Sequence, residues 1–346
     1  MGVSTSDWVR PGAEKITDGV WRIPVVLPND GLKAVNIYAL ADDDGLTLID
    51  GGWALEAAKT ALTAGLADIG AGLGDVRRFM VTHAHRDHYT AAIAIRREFG
   101  TRVLLGAGER HAIEAKIKPG HPGLGTQFAL LSQHGAEPVM AALIALGLGP
   151  GALDLGYEAP DEWISSGQIF GVGDRELKAI ATPGHTHGHL VFADHDNGLL
   201  FAGDHVLPHI TPSIGFEVDP PKLALRDYLE SLQLVRAMPD MRLLPAHGPS
   251  DDMVHARIDA LLAHHATRLA EIEAALGTGQ VTAYEVSARI PWTSRKRAFA
   301  ELEPFNQMLA VLETALHLDL LVAQGKAEAD GEIVLYRRSG IDTEII

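Results

Sequence analysis

The chain has 346 residues, 47% of them hydrophobic and 21% charged, enough for one large or two ordinary domains with buried cores. Its 29 basic against 45 acidic side chains leave a formal net charge of −16, a surface that repels polyphosphate and makes nucleic acid an unexpected partner. There is no cysteine, so disulfides, thiolate ligands and a Cys nucleophile are excluded, and any metal must be held by His, Asp or Glu.

The first ten residues, MGVSTSDWVR, lack the basic segment and apolar core of a secretory signal, and the apolar run at 139–149 is too short to span a bilayer. The expectation is a cytoplasmic protein with no membrane partner. Over the first fifty residues short β-type runs alternate with turn signals (GVWRIPVVL, KAVNIYALA, ADDDG, LTLIDGG), which reads as a β-meander. From Trp53 to about Ile69 the Ala- and Leu-rich stretch has helical spacing, and RRFMVTH at 77–83 returns to strand chemistry. DHYTAAIAIRREFG then reads as a helix with Asp87 near its start and Gly100 past its end.

Residues 107–160 break this rhythm with three helical segments separated by Gly/Pro-rich pieces, the pattern of a helical insertion. Strand-type runs resume (QIFGVG, ELKAIATPG, HLVFAD, GLLFAGD), followed by a helix and RLLPAHG. Beyond residue 250 come a long helical pattern ending at Gly277, two shorter ones, and a hairpin-like run with a turn at Asp330–Gly331. Helices followed by a two-stranded wing suggest a winged-helix domain over 251–346, after a first domain over 1–250.

The chemistry concentrates at strand ends. In VTHAHRDHYT, a strand continuing to residue 85 would point His83 and His85 to one side, where they can share a metal. Asp87 and His88 lie beyond the bend at the start of the next helix, where the N-terminal dipole disfavours imidazolium and would keep His88 neutral and able to ligate a second ion. Three further β-type runs end on a metal-capable side chain: His185 in ATPGHTHGH, Asp204 in FAGDHV and His247 in LPAHG. Imidazole and carboxylate donors without sulfur suit Zn²⁺, with Fe or Mn as alternatives.

The set His83-Ala84-His85-Arg86-Asp87-His88, His185, Asp204 and His247, with Asp50 in LIDGG, resembles the metallo-β-lactamase superfamily over roughly residues 15–250. The resemblance implies an α/β fold, a four-layer αββα sandwich, here with a helical insertion and a small C-terminal winged-helix domain of the kind appended in some members. It also implies two divalent ions: His83, His85 and His185 hold the first, Asp87, His88 and His247 the second, and Asp204 bridges both. Asp87 and Asp204 are then the acids of a hydrolytic centre with a bridging hydroxide. Asp50 either orients the ligand loop from behind or simply forms the turn before Gly51–Gly52. The β-lactam-hydrolysing branch often carries Cys at the bridging position; this chain has Asp204, which favours the branches related to glyoxalase II, lactonases and phosphodiesterases.

The expected activity is metal-dependent hydrolysis of an ester, thioester or lactone in a small-molecule substrate. A phosphodiesterase or ribonuclease and, behind it, an iron-dependent oxygenase are the alternatives. Leu124, Phe128, Leu131, Met140 and Leu143 of the insertion either roof a hydrophobic substrate pocket or pack the insertion in place. Over 251–346, 9 basic and 15 acidic residues leave −6, so Arg295, Lys296 and Arg297 are expected to grip an anionic part of a substrate rather than nucleic acid, and a homodimer is a further role for that segment. His187, His189, His205 and His209 are expected to make supporting hydrogen bonds near the site, and His264–His265 to pack or lie at the surface.

Overall fold

A computed structural model describes residues 7–28, 30–118, 120, 123–150, 156–277, 279–293 and 295–340. β1 (Glu14–Thr17), β2 (Val20–Val26), β3 (Ala34–Asp42) and β4 (Gly45–Ile49) form the expected antiparallel meander. After α1 (Glu56–Asp68) the chain adds β5 (Val76–Val81), then α2 (Arg86–Phe99), β6 (Arg102–Gly106), α3 (Arg110–Lys116) and, later, β7 (Glu162–Ile164). β4 to β7 pair in parallel, completing a seven-stranded sheet in sequence order.

The second sheet has five strands in the order β12-β11-β10-β9-β8: β8 (Ile169–Val172), β9 (Arg175–Ala181), β10 (Leu190–Asp194), β11 (Leu199–Gly203) and β12 (Arg242–Pro245). All its pairs are antiparallel except β11 with β12. β10 and β11 are buried along their whole length, which is why they read as continuous apolar runs instead of alternating.

One core lies between the sheets, where Leu40, Ile49, Met80 and Leu104 of the first meet Leu177, Phe192, Phe201 and Leu244 of the second. The other face of the first sheet, with Ile23, Ile37, Leu48 and Phe79, packs against Leu62 and Leu66 of α1 and Tyr89 and Ile93 of α2. On the far side, α6 (Ala224–Arg236) is fastened by Ser231 Oγ donating to Pro183 O at 2.9 Å and Tyr228 Oη to His205 O at 3.0 Å. Helix, sheet, sheet and helix make the four-layer sandwich.

The described residues divide into two compact units, the first comprising 1–119, 154–212 and 228–259 and the second 120–153, 213–227 and 260–346. This differs from a single cut at residue 250. Of the helical stretch at 107–160, α3 stays with the sandwich, while α4 (Gly125–Gln133) and α5 (Glu137–Ala145) belong to the second unit. There they join the C-terminal part of α7 (Val254–Ala275), α8 (Ala283–Arg289), α9 (Pro304–Ala323) and the antiparallel hairpin β13 (Ala327–Asp330) and β14 (Leu335–Arg338). α8 opens on a capping box in which Thr282 Oγ1 accepts from Glu285 N and Glu285 accepts from Thr282 N.

The second unit's core brings Phe128, Leu131 and Leu143 together with Ile272, Val286, Val311, Leu318 and Tyr336, with Leu124 and Met140 packed against it. Leu131 and Leu143 are fully buried and Phe128 nearly so. Packing, and not the roof of a pocket, is therefore what these three side chains do. By length and composition α9 is long and apolar enough to cross a membrane, the one such helix among the described residues. Half of it is buried, and Met308, Val311, Leu318 and Leu321 supply the centre of this core.

Candidate metal centre

Every predicted ligand sits just past the C-terminal end of a strand in the first unit. β5 stops at Val81, so His83 and His85 lie in the loop that follows and not on the strand. The loop nevertheless turns both rings to His185, whose Nε2 is 3.2 Å from His83 Nε2 and 3.1 Å from His85 Nδ1. His185 comes from the turn between β9 and β10, Asp204 follows β11 directly, and His247 follows β12. Asp87 and His88 occupy the first turn of α2, as expected.

Three sets converge: His83, His85 and His185; Asp87, His88 and His247; and His83, His88 and Asp204, which spans them. Asp204 presents Oδ2 to His185 Nε2 at 3.5 Å and Oδ1 to His247 Nε2 at 3.4 Å and His88 Nε2 at 3.6 Å. Asp87 Oδ2 lies 3.5 Å from His247 Nε2 and 3.7 Å from His88 Nε2. The sequence-predicted set is thus together, with the acid expected to bridge standing between the two trios.

The residues behind the ligands decide which ring nitrogen is free to bind. His88 Nδ1 is 2.9 Å from Asp50 Oδ2, and a carboxylate only accepts, so Nδ1 carries a proton and Nε2 is the nitrogen turned inward, the one left to bind a metal. His247 Nδ1 donates in the same way to Ala34 O at 2.7 Å. Thr82 Oγ1 is 3.1 Å from His83 Nδ1, and this hydroxyl together with Thr82 N is held by Asp50 at 2.8–3.1 Å. Asp50 therefore supports a ligand of each trio. It does so from φ +63°, a left-handed conformation that Asp tolerates better than most residues.

His189 orients the bridge: its Nε2 accepts from Asp204 N at 3.2 Å and its Nδ1 meets Thr182 Oγ1 at 2.9 Å. His205 is buried with its ring edge-on to Tyr228 at 5.4 Å, and burial pushes it down to about 3. His187 and His209 are exposed. His265 packs in the second unit against His317, with His264 beside it. Arg295, Lys296 and Arg297 are exposed in the second unit, and Ser294 of the same run lies outside the described residues.

Do these residues fit a metal? His88 Nε2, His247 Nε2 and Asp204 Oδ1 are buried without a hydrogen-bond partner among the described residues, and they face one another. Buried polar atoms seldom go unsatisfied, and a divalent cation would satisfy all three. The field agrees. Burial disfavours charge on His88, yet Asp50, Asp87 and Asp204 raise it to about 10; His247 is raised against burial by Asp204 and Asp87. Asp87, in turn, is held well below the usual carboxylate range by His88 and His247 in spite of burial. The three carboxylates outweigh the helix dipole that was expected to keep His88 neutral: at this point the protein favours positive charge. In the first trio, by contrast, burial and the neighbouring imidazoles keep His83 neutral, the ligating form.

Sequence reasoning missed Thr82, Glu109, Lys116, Thr186 and Tyr157, all of which hold the ligand loops. The only local signal was that Thr82 and Thr186 adjoin ligands.

Residues 30–247 match the model of the metallo-beta-lactamase superfamily. A lactamase-like protein nscB of Aspergillus fumigatus is 35% identical over 31% of this chain and 30% of its own length. The atrochrysone carboxyl ACP thioesterase AacuM of Aspergillus aculeatus is 29% identical over 52% of this chain and 54% of its own. The chain thus spans about a third to a half of the length of these curated relatives. Among solved structures, the metallo-beta-lactamase family protein TTHA1429 from Thermus thermophilus superposes with a TM-score of 0.77 at 27% identity, covering 94% of this chain and all of that one. A beta-lactamase domain protein from Burkholderia ambifaria, 24% identical with a TM-score of 0.75 and 94% of both chains covered, shares the fold. The ligand constellation, the four-layer sandwich and the family match agree: this chain belongs to the metallo-beta-lactamase superfamily.

Proposed function

We propose that this chain, a hydrolase of the superfamily, cleaves the acyl bond of an ester or thioester, or of a lactone as its cyclic form, at a centre of two divalent ions. The observation that carries the reading is the placement of Asp204, with one carboxylate oxygen toward each trio of ligands. His83, His85 and His185 would hold one ion and Asp87, His88 and His247 the other. With imidazole and carboxylate donors only, zinc is the expected metal, and iron or manganese suits the same set. Bound there, such ions supply an activated water at neutral pH and polarise the scissile carbonyl.

The chain's own residues supply the rest. Asp50 and Ala34 O hold the Nδ1 protons of His88 and His247, so each ring turns Nε2 toward the centre without a conformational search. His189 holds the main chain at Asp204, and the two acids of the centre, Asp87 and Asp204, provide the negative charge that retains the cations. The ACP thioesterase among the relatives supports an acyl substrate, and the net charge of −16 weighs against RNA.

The test is a screen of the purified full chain against aryl esters, acyl thioesters, lactones, β-lactams, phosphodiesters and RNA, with metal content measured on the same preparation. Turnover of acyl substrates with two ions per chain is the expected outcome. Turnover confined to phosphodiesters or RNA, or a chain that takes up no metal, overturns it.

A further inference from the structure

Beyond the ligands themselves, one buried acid touches both loops that carry the first trio. Glu109, just after β6, is 1% exposed. Its carboxylate accepts from Thr186 Oγ1, the residue after His185, and from the backbone N–H of Ala84, the residue between His83 and His85. Ala84 is held through its carbonyl oxygen as well, which accepts from Lys116 Nζ at 2.7 Å and Tyr157 Oη at 3.1 Å. Lys116 Nζ also lies 4.7 Å over the Tyr157 ring.

This contact needs backbones in near touch. A Cβ on Gly188 would lie 2.1 Å from Glu109 N, and one on Gly108 would lie 2.7 Å from Gly188 Cα. Side chains are excluded at both positions, so the His185 loop and the segment bearing Glu109 are pressed together.

A buried carboxylate satisfied by two donors is often only structural. Here, however, the two donors belong to the two loops whose three imidazole nitrogens must meet, and the second trio is braced through Asp50 and Ala34 O, contacts in which Glu109 takes no part. We propose that Glu109 is a positioning residue that sets the spacing of His83, His85 and His185, with Lys116 and Tyr157 holding Ala84 through its carbonyl oxygen. It acts on one ion's site and not on the other.

This inference rests on the dinuclear reading above, and one measurement separates the two. The metal-free full chain is titrated with Zn²⁺ against a chromophoric chelator, for the unaltered protein and for Glu109→Gln, Thr186→Val and Thr186→Ser, with circular dichroism confirming the fold. The unaltered chain is expected to bind two ions. Glu109→Gln should weaken one of them by about tenfold to a hundredfold, the range for residues that support metal ligands, and leave the other within about twofold. Thr186→Val should weaken the same ion, and Thr186→Ser, which keeps the hydroxyl, should restore it. Two ions bound by Glu109→Gln with unaltered affinity, or both weakened alike, overturn the role of Glu109. If Glu109→Gln does not fold, Thr186→Val decides alone, and unchanged affinity there overturns it. An unaltered chain that binds no zinc sinks the dinuclear reading and this inference with it.

Discussion

Both units bury histidines, and the surroundings of those rings differ in kind. In the sandwich, the nitrogens of His88 and His247 face the carboxylates of Asp87 and Asp204 across 3.4–3.7 Å, and both rings are pulled toward positive charge. In the helical unit His265 Nδ1 meets His317 Nε2 at 3.2 Å, their rings are stacked, and His317 Nδ1 donates to Glu313 O at 2.7 Å. Burial pushes His134 and His317 down to about 4 and His265 to about 2, so these rings are neutral packing groups. None of the three joins a converging set of His, Asp and Glu among the described residues. A buried imidazole alone therefore says little; what marks a metal site is several unsatisfied atoms aimed at one point with acids behind them.

The contrast is broken most directly by removing the acid shared by the two trios. Asp204→Ala is expected to lower turnover more than about a hundredfold and to reduce bound metal, while His317→Gln in the second unit leaves both within about twofold. Equal losses from the two variants, measured as kcat and ions per chain, would erase the distinction. Asp50→Asn comes next. It removes an acceptor that holds the Nδ1 proton of His88 and places an amide donor there, so zinc affinity should fall by about tenfold to a hundredfold by chelator competition, with the fold retained by circular dichroism.

Acid sharpens the comparison from the other side. The unfolded chain takes up protons on histidine near 6.5, whereas folded His134 and His317 do so only near 4. Their contribution to stability is full above pH 6.5 and is lost as pH falls toward 4, by about 1.4 kcal/mol per pH unit for each ring. The unfolding temperature should therefore drop between pH 7 and 5, and the drop should be shallower in His317→Gln; a parallel slope in both proteins would count against it. The smallest effect is expected from Arg295→Ala, Lys296→Ala and Arg297→Ala. These exposed side chains should each change unfolding free energy by less than about 0.5 kcal/mol in denaturant titration.

Much of the site was legible because its ligands are local punctuation. Each falls where a β-type run ends, and strand ends are visible as a switch from apolar residues to Gly, Asp and His. The meander and the helix behind Asp87 followed from the same periodicities, while the pairing of two sheets was implied by the resemblance. The insertion was not legible in this way, because Leu131 and Leu143 recur at a spacing that suits a pocket roof and a helix core equally; only the partners Ile272, Val311 and Leu318, far along the chain, decide between them. Glu109 was invisible for a related reason. It is one of 45 acidic residues, and its two donors lie 25 and 77 positions away. The pull on His88 toward positive charge was not legible because the helix terminus is a feature of its own segment, while two of the acids that raise it, Asp50 and Asp204, follow other strands.

The distance in sequence between the ligands has a consequence for how the chain assembles. His83 and His185 stand 102 positions apart, and His247 follows β12, the last strand of the second sheet in sequence. The full set of seven side chains is therefore complete only when both sheets are in place. Free metal at about a hundred times its dissociation constant would then add roughly 2.7 kcal/mol to the native state for each site filled, so apparent stability would track metal supply.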